Sequence, residues 1–252
     1  MRWYVIAWAT PIALPIALVL TYVAAPDFYL RWILEERRRE WQIVELITVI
    51  SALAASILLA TAAQRLFRHG PSLYPDCPGP KWTAGRGGAI LIGLTAVASF
   101  FFAGEEISWG QTYLGWSTPR SYKEISGETN LHNIRDLFIS VQSMGSLFIL
   151  IMFIGLPILW AITPLRAKLP DDWKPAIAEW PVVFTIAVAF TWKGFKNAYG
   201  WIVTDVETSP TPFSEDFVAQ INEQKEMLVA VGLLMYGLHR LAAARRVRGE
   251  WT

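Results

Sequence analysis

The sequence predicts an all-α, polytopic membrane helix bundle of about six transmembrane helices, and three observations carry that prediction. Apolar runs of membrane-crossing length recur along the whole chain. Charge is scarce: 54% of the 252 residues are hydrophobic and only 17% are charged, against about 25% charged in average soluble domains. The thirteen tryptophans gather at the ends of the apolar runs, where an amphipathic ring suits a membrane interface.

A spanning helix needs about 20 mainly apolar residues. The first run, about 3–25, carries no charge and holds Pro11 and Pro15, which kink it. It is longer than the h-region of a signal peptide, about 7–15 residues, and so reads as a retained helix. Further spans fall at about 43–63, 87–104, 137–163, 181–203 and 227–244. The fifth is less clean, since it must run past Lys193 and Lys196 to reach full length. The sixth is short, with Arg240 expected to snorkel from its end. Residues 27–40 mix aromatic, aliphatic and charged side chains and read as a helix lying in the interface. Residues 71–86, rich in proline and glycine, read as an irregular loop. No polar linker divides the chain, so 1–252 is taken as a single membrane domain.

Six spans place both termini on one side. That side carries 12 of the lysines and arginines and the other carries 10, which by the positive-inside rule puts the termini in the cytoplasm. The net charge of +1 gives no argument for nucleic acid, and the single cysteine, Cys77, excludes an intramolecular disulfide and a multi-thiolate zinc site. The partner expected is the lipid bilayer itself, with a lipid-linked substrate or a membrane-protein partner.

Chemistry concentrates in residues 103–136, AGEEISWGQTYLGWSTPRSYKEISGETNLHNIRD, an expected ordered outer loop between spans three and four. Glu105 and Glu106 follow an apolar helix, where the negative end of the helix dipole disfavours carboxylates. A continuing helix would put Glu105 and Trp109 on one face and turn Glu106 about 100° away. His132 and Asp136 are four apart, so Asp136 can orient the imidazole and leave the other ring nitrogen as base or ligand. Glu105, Glu106, His132 and Asp136 are therefore the candidate catalytic residues. Trp109, Gln111, Glu128, Asn130, Asn133, Lys193 and Lys196 are the candidate substrate contacts, the lysines for an anionic group. Glu105, Glu128 and His132 are the candidate ligands if a divalent metal is bound. Ionisable groups at membrane depth cost roughly 2.5–3.5 kcal/mol each, so such a cluster tends to mark a functional site. Glu45 and Glu226, near outer span ends, can join it, whereas His69 and His239 read as solvated groups near arginines.

GEEISWGQ followed by GETNLHN resembles a motif pair in a family of uncharacterised bacterial multi-pass membrane proteins. That resemblance implies a bacterial inner-membrane location and a shared role for the segment. Glu105-Glu106 also resembles the paired glutamates of CAAX-processing intramembrane proteases, and His132-x-x-x-Asp136 loosely matches their last motif. Gly110, however, stands where that family has arginine. The expectation is an acid/base or metal-assisted hydrolase or transferase acting on a lipid-linked or amphipathic substrate at the outer face. The alternative is a non-catalytic subunit or assembly factor of a membrane complex.

Overall fold

The computed structural model describes residues 2–25, 28–29, 43–73, 85–107, 109, 141–166, 168–169, 171–204 and 221–246. Among them the chain is helical and contains no strand. The helices are α1 (Arg2–Ala24), α2 (Ile43–Leu73), α3 (Arg86–Glu106), α4 (Val141–Leu150), α5 (Leu156–Ala161), α6 (Thr163–Arg166), α7 (Trp180–Thr204) and α8 (Ile221–Arg246). A π-helical turn, Ile151–Gly155, joins α4 to α5, and a 3₁₀ turn, Asp171–Ala176, precedes α7.

Five stretches are long and apolar enough to cross a membrane: Val5–Ala24, Ile43–His69, Arg86–Glu106, Ser143–Ala161 and Glu223–Arg245. In α7 the described apolar part, Trp180–Trp192, is shorter. Two helices extend beyond their expected spans. Helix α2 continues from 63 to Leu73, and α8 begins at Ile221 instead of 227. A backbone hydrogen-bond ladder does not stop where apolar character stops, and polar residues at a helix end reach water at little cost. The interfacial helix expected at 27–40 lies almost wholly outside the described residues, as do residues 74–84 of the loop expected at 71–86, whose first three residues instead continue the long helix to Leu73.

Helix α2 is central, packed along both α3 and α8, while α7 packs on α8 and α1 lies outside against α7. Close approach comes from small residues, as is usual between helices in lipid. A Cβ added at Gly237 would come within 3.1 Å of Leu58 Cβ and 3.4 Å of the Ala55 carbonyl oxygen. Polar side chains turn inward and are satisfied locally. Thr48, Thr95, Ser99 and Thr185 are buried, and each hydroxyl donates to the carbonyl four residues earlier at 2.8–2.9 Å. Large apolar side chains face outward instead, among them Ile50, Ile57, Ile90, Leu94, Val97 and Leu147. Water-soluble domains rarely expose apolar surface on this scale; the lateral surface suits lipid.

The two ends of the bundle are built differently. At one end Gly85 adopts a left-handed φ of 75° and starts α3. The 3₁₀ turn then docks on α3: the Gly87 amide donates to Asp172 Oδ2 at 3.0 Å. A carboxylate at a helix N-terminus is favoured by the dipole, and a Cβ at Gly88 would come within 2.9 Å of the Asp172 carbonyl oxygen. Arg86 lies over the Phe67 ring at 5.1 Å. Arg240 does not snorkel outward but turns in, pairing with Glu179 and donating to the Pro175 carbonyl at 2.5 Å. His239 is exposed, as expected, and its Nδ1 also lies 2.7 Å from the same Glu179 oxygen. The correction for Arg240 has a plain cause: the 3₁₀ turn brings Glu179 and the Pro175 carbonyl beside the end of α8, offering partners closer than bulk water. His69 is partly buried.

At the other end Trp192 Nε1 donates to Gln224 Oε1 at 2.8 Å, and Gln224 Nε2 donates to the Tyr29 hydroxyl at 2.9 Å. This chain ties α7 and α8 to the segment after α1. Tyr29 is fully buried. Burial pushes its hydroxyl up from 10.0 to about 12, and the Gln224 hydrogen bond acts the other way. The fold thus holds the neutral phenol. The stability this contributes is intact below pH 10 and is lost as pH rises from 10 toward about 12. Unfolding midpoints of the wild type and Tyr29→Phe should keep a constant gap up to pH 10 and converge above it. A gap that widens with pH would contradict this assignment.

Candidate functional site

Helix α3 ends at the second of its two glutamates, with Ile107 as cap. The chain then folds back: Trp109 takes a positive φ of 55°, which is strained for a bulky residue. Its ring packs edge-on against Phe101 at 5.4 Å and Phe100 at 6.2 Å, and its Nε1 donates to Glu105 Oε1 at 2.6 Å. Gly104 makes room for the ring, since a Cβ there would lie 2.8 Å from it. Glu105 is 8% exposed, so its carboxylate is used to fix the end of α3. Glu105 and Trp109 do meet, but through a turn and not along a continued helix.

Glu106 goes elsewhere. It faces the start of α8, where a carboxylate oxygen of each of Glu106, Glu223 and Glu226 lies within 4.8 Å of the others. Lys225, 4% exposed, has its Nζ 3.7 Å from Glu226 Oε1. Glu45, at the start of α2, adds its field at Glu106. Like charges this close repel and call for positive charge among them; among the described residues Lys225 lies with them. Oxygen donors of this kind suit a hard divalent cation such as magnesium, calcium or manganese. Glu106, Glu223 and Glu226 are the described residues that could hold one.

The carboxylates cap a cavity of about 540 Å³. Glu105, Glu106, Lys225 and Glu226 line its polar end, and Phe101, Phe102, Phe148 and Phe190 contribute to its apolar walls. Met144 and Gly145 on α4 border it and are exposed, so this wall is open to the side of the bundle. The volume falls in the range of small-molecule sites, about 300–1,000 Å³.

Of the residues singled out in the sequence, Glu105 and Trp109 meet at this end of α3, and Glu106 turns away to join Glu226. Gln111, Glu128, Asn130, Asn133, His132 and Asp136 lie outside the described residues, as does any approach of His132 to Glu106. Lys193 and Lys196 lie on the described backbone of α7, and their side chains lie outside the description. Sequence reasoning missed Glu223 and Lys225. The density of charge in NEQKE, immediately before Met227, is the signal that could have found them. Comparison with family profiles, characterised proteins and solved structures finds no match to this chain.

Proposed function

We propose that this chain is a six-span bacterial inner-membrane protein whose cavity receives a lipid-linked or amphipathic substrate at the outer face. There its carboxylates perform acid/base hydrolysis or group transfer, with or without a divalent cation. The carrying observation is the placement of Glu106 and Glu226 at the polar end of a cavity whose remaining walls are largely apolar. Such a site holds a hydrocarbon portion in the bundle and presents a polar group to carboxylates. Glu106 is the preferred base or ligand, because Glu105 is already engaged by Trp109. His132, oriented by Asp136, remains a candidate partner for it on sequence grounds.

The topology proposed has both termini in the cytoplasm. It is supported by the basic character of the end that holds Arg65, Arg68, Arg86, Arg166 and Arg240, opposite the glutamate-rich end. A reporter fused after Thr252 should be active only in its cytoplasmic form. Periplasmic activity would overturn the span count or the orientation.

A second reading, a non-catalytic subunit or assembly factor, is favoured by the Glu105–Trp109 bond, which looks like a structural staple. Function and thermal stability of Glu105→Gln, Glu106→Gln and His132→Asn separate the two readings. The catalytic reading expects Glu106→Gln to fold and to lose cellular function. Three variants that fold and function fully end it, and three that fail to fold move the subunit reading ahead.

A further inference from the structure

We propose that the cavity is a blind slot that measures the length of a single alkyl chain, with its floor at the level of Thr95, Ile149 and Leu233. This rests on the reading of the cavity as a substrate site and adds the feature of the substrate that the site discriminates.

Shape is the first argument. Three helices line the cavity over matching stretches: α3 from Glu106 back to Thr95, α4 from Met144 to Ile149, and α8 from Lys225 to Leu233. One turn beyond each of those inner ends, the inward side chain belongs to the packed core. It is Ile92 on α3, Phe153 in the π turn after α4, and Tyr236 on α8, each no more than 2% exposed. Phe153 meets Tyr236 edge-on at 5.0 Å. That layer closes the cavity below, while Glu105, Glu106 and Glu226 mark its other end.

Length is the second. The lined stretches of α3 and α8 are about 16 and 12 Å long at a rise of about 1.5 Å per residue. With carbon–carbon bonds of about 1.5 Å at tetrahedral angles, that depth takes an extended chain of roughly ten to twelve carbons. One leaflet of a bilayer's hydrocarbon core is about 15 Å, half of about 30 Å. A lipid chain therefore reaches from the polar end to the floor while staying within its own leaflet.

The walls are the third. Phe101, Phe102, Phe148, Phe190 and Val229 supply apolar surface. The hydroxyls of Thr95 and Ser99 donate to carbonyls of their own helix at 2.9 and 2.8 Å, so they spend their hydrogens there and not on a guest. Such a wall discriminates by fit, because a methylene too many must push aside close-packed side chains. Entry is from the side. Met144 and Gly145 are exposed at the cavity border, and a Cβ added at Gly145 meets nothing within 4 Å. A chain can slide in between α3 and α4 without leaving lipid.

The test uses the purified full-length protein in phosphatidylcholine vesicles, with monoacylglycerols as uncharged amphiphiles. The probe is a dodecanoyl monoacylglycerol with a photoactivatable diazirine at the end of its chain. Saturable labelling is expected on the peptides that hold Thr95, Ile149 and Leu233. At equal mole fraction in the membrane, unlabelled competitors of ten or twelve carbons should displace the probe at least about ten-fold better than those of eight or eighteen. Leu233→Ala, which deepens the floor, should move the best length upward. Val229→Phe, which blocks the slot at mid-depth, should move it downward. Opposite shifts are not a product of general unfolding, and either variant decides if the other does not fold. The wild-type competition decides without both. Equal displacement by every length overturns the proposal, as does a best length unmoved in a folded variant. Absence of saturable labelling overturns it, and so does labelling confined to the lipid-facing Leu94 and Val97. A sharp best length alongside full cellular function of Glu106→Gln would sink the catalytic reading alone. Lost function in Glu106→Gln without any length preference would sink this inference alone.

Discussion

Arg240→Leu is expected to destabilise the protein by about 3–5 kcal/mol at neutral pH, the cost of leaving one member of a buried ion pair without its partner. Arg240 has only 10% of its side chain exposed and Glu179 has 21%. The guanidinium pairs with Glu179, donates to the Pro175 carbonyl at 2.5 Å, and lies over the Tyr236 ring at 5.3 Å. Glu179 Oε2 already lacks a hydrogen-bond partner. Without Arg240 the carboxylate would keep only His239, at 2.7 Å on its other oxygen. Arg240→Lys should recover part of the loss, since it restores charge without the planar fork that serves two acceptors at once. Thermal and denaturant unfolding in nonionic micelles measures both. A loss below about 1 kcal/mol for Arg240→Leu, the range of exposed pairs, would show that the pair is effectively solvated.

Tyr236→Ala should cost a similar amount, about 3–5 kcal/mol, through the cavity left by a large buried ring. Tyr236 is fully buried, meets Phe153 edge-on at 5.0 Å, and donates its hydroxyl to the Ala176 carbonyl at 2.7 Å. It therefore joins α8, the π turn and the segment before α7 in one place. Tyr236→Phe keeps the ring and leaves the Ala176 carbonyl unpaired, which costs about 1–3 kcal/mol. Because Arg240 stacks on this ring, losses in the Tyr236→Ala/Arg240→Leu double variant should fall short of the sum of the singles. Full additivity would show that the two contacts are independent. Equal losses for Tyr236→Phe and Tyr236→Ala would assign the whole effect to the hydroxyl.

Much of the helix pattern was legible because lipid and a helical backbone impose the same simple demand, a long uninterrupted apolar run. Residues 3–25 and 87–104 announced α1 and α3 within a few residues. The ends were less legible. The approach to α8, NEQKE, reads as loop by hydropathy, yet helical geometry continues through it, and Glu223 in the first turn suits the positive end of the dipole. The inward turn of Arg240 could not be read from α8 at all, because its acceptors belong to residues 175 and 179, far away in the chain and brought near by a short turn. The site shows the same division. Adjacent glutamates at 105 and 106 were conspicuous, and their different directions follow from the helical angle between neighbours. That Glu106 would meet Glu223 and Glu226 follows from α3 ending where α8 begins, which depends on how the helices pack and not on any local pattern.

The π turn at Ile151–Gly155 has a consequence for how the helix around it is numbered. Each π turn holds one residue more than the α-helical turn it replaces, so the stripe of inward positions slips by about 100° across it. Before the slip, Met144, Gly145, Phe148 and Ile149 border the cavity. Within and after it, Met152, Phe153 and Leu156 are buried in the core, with Phe153 against Tyr236. One continuous rod thus carries two periodic registers with a phase jump between them. The part before the jump borders the cavity, and the part after it is held by the core.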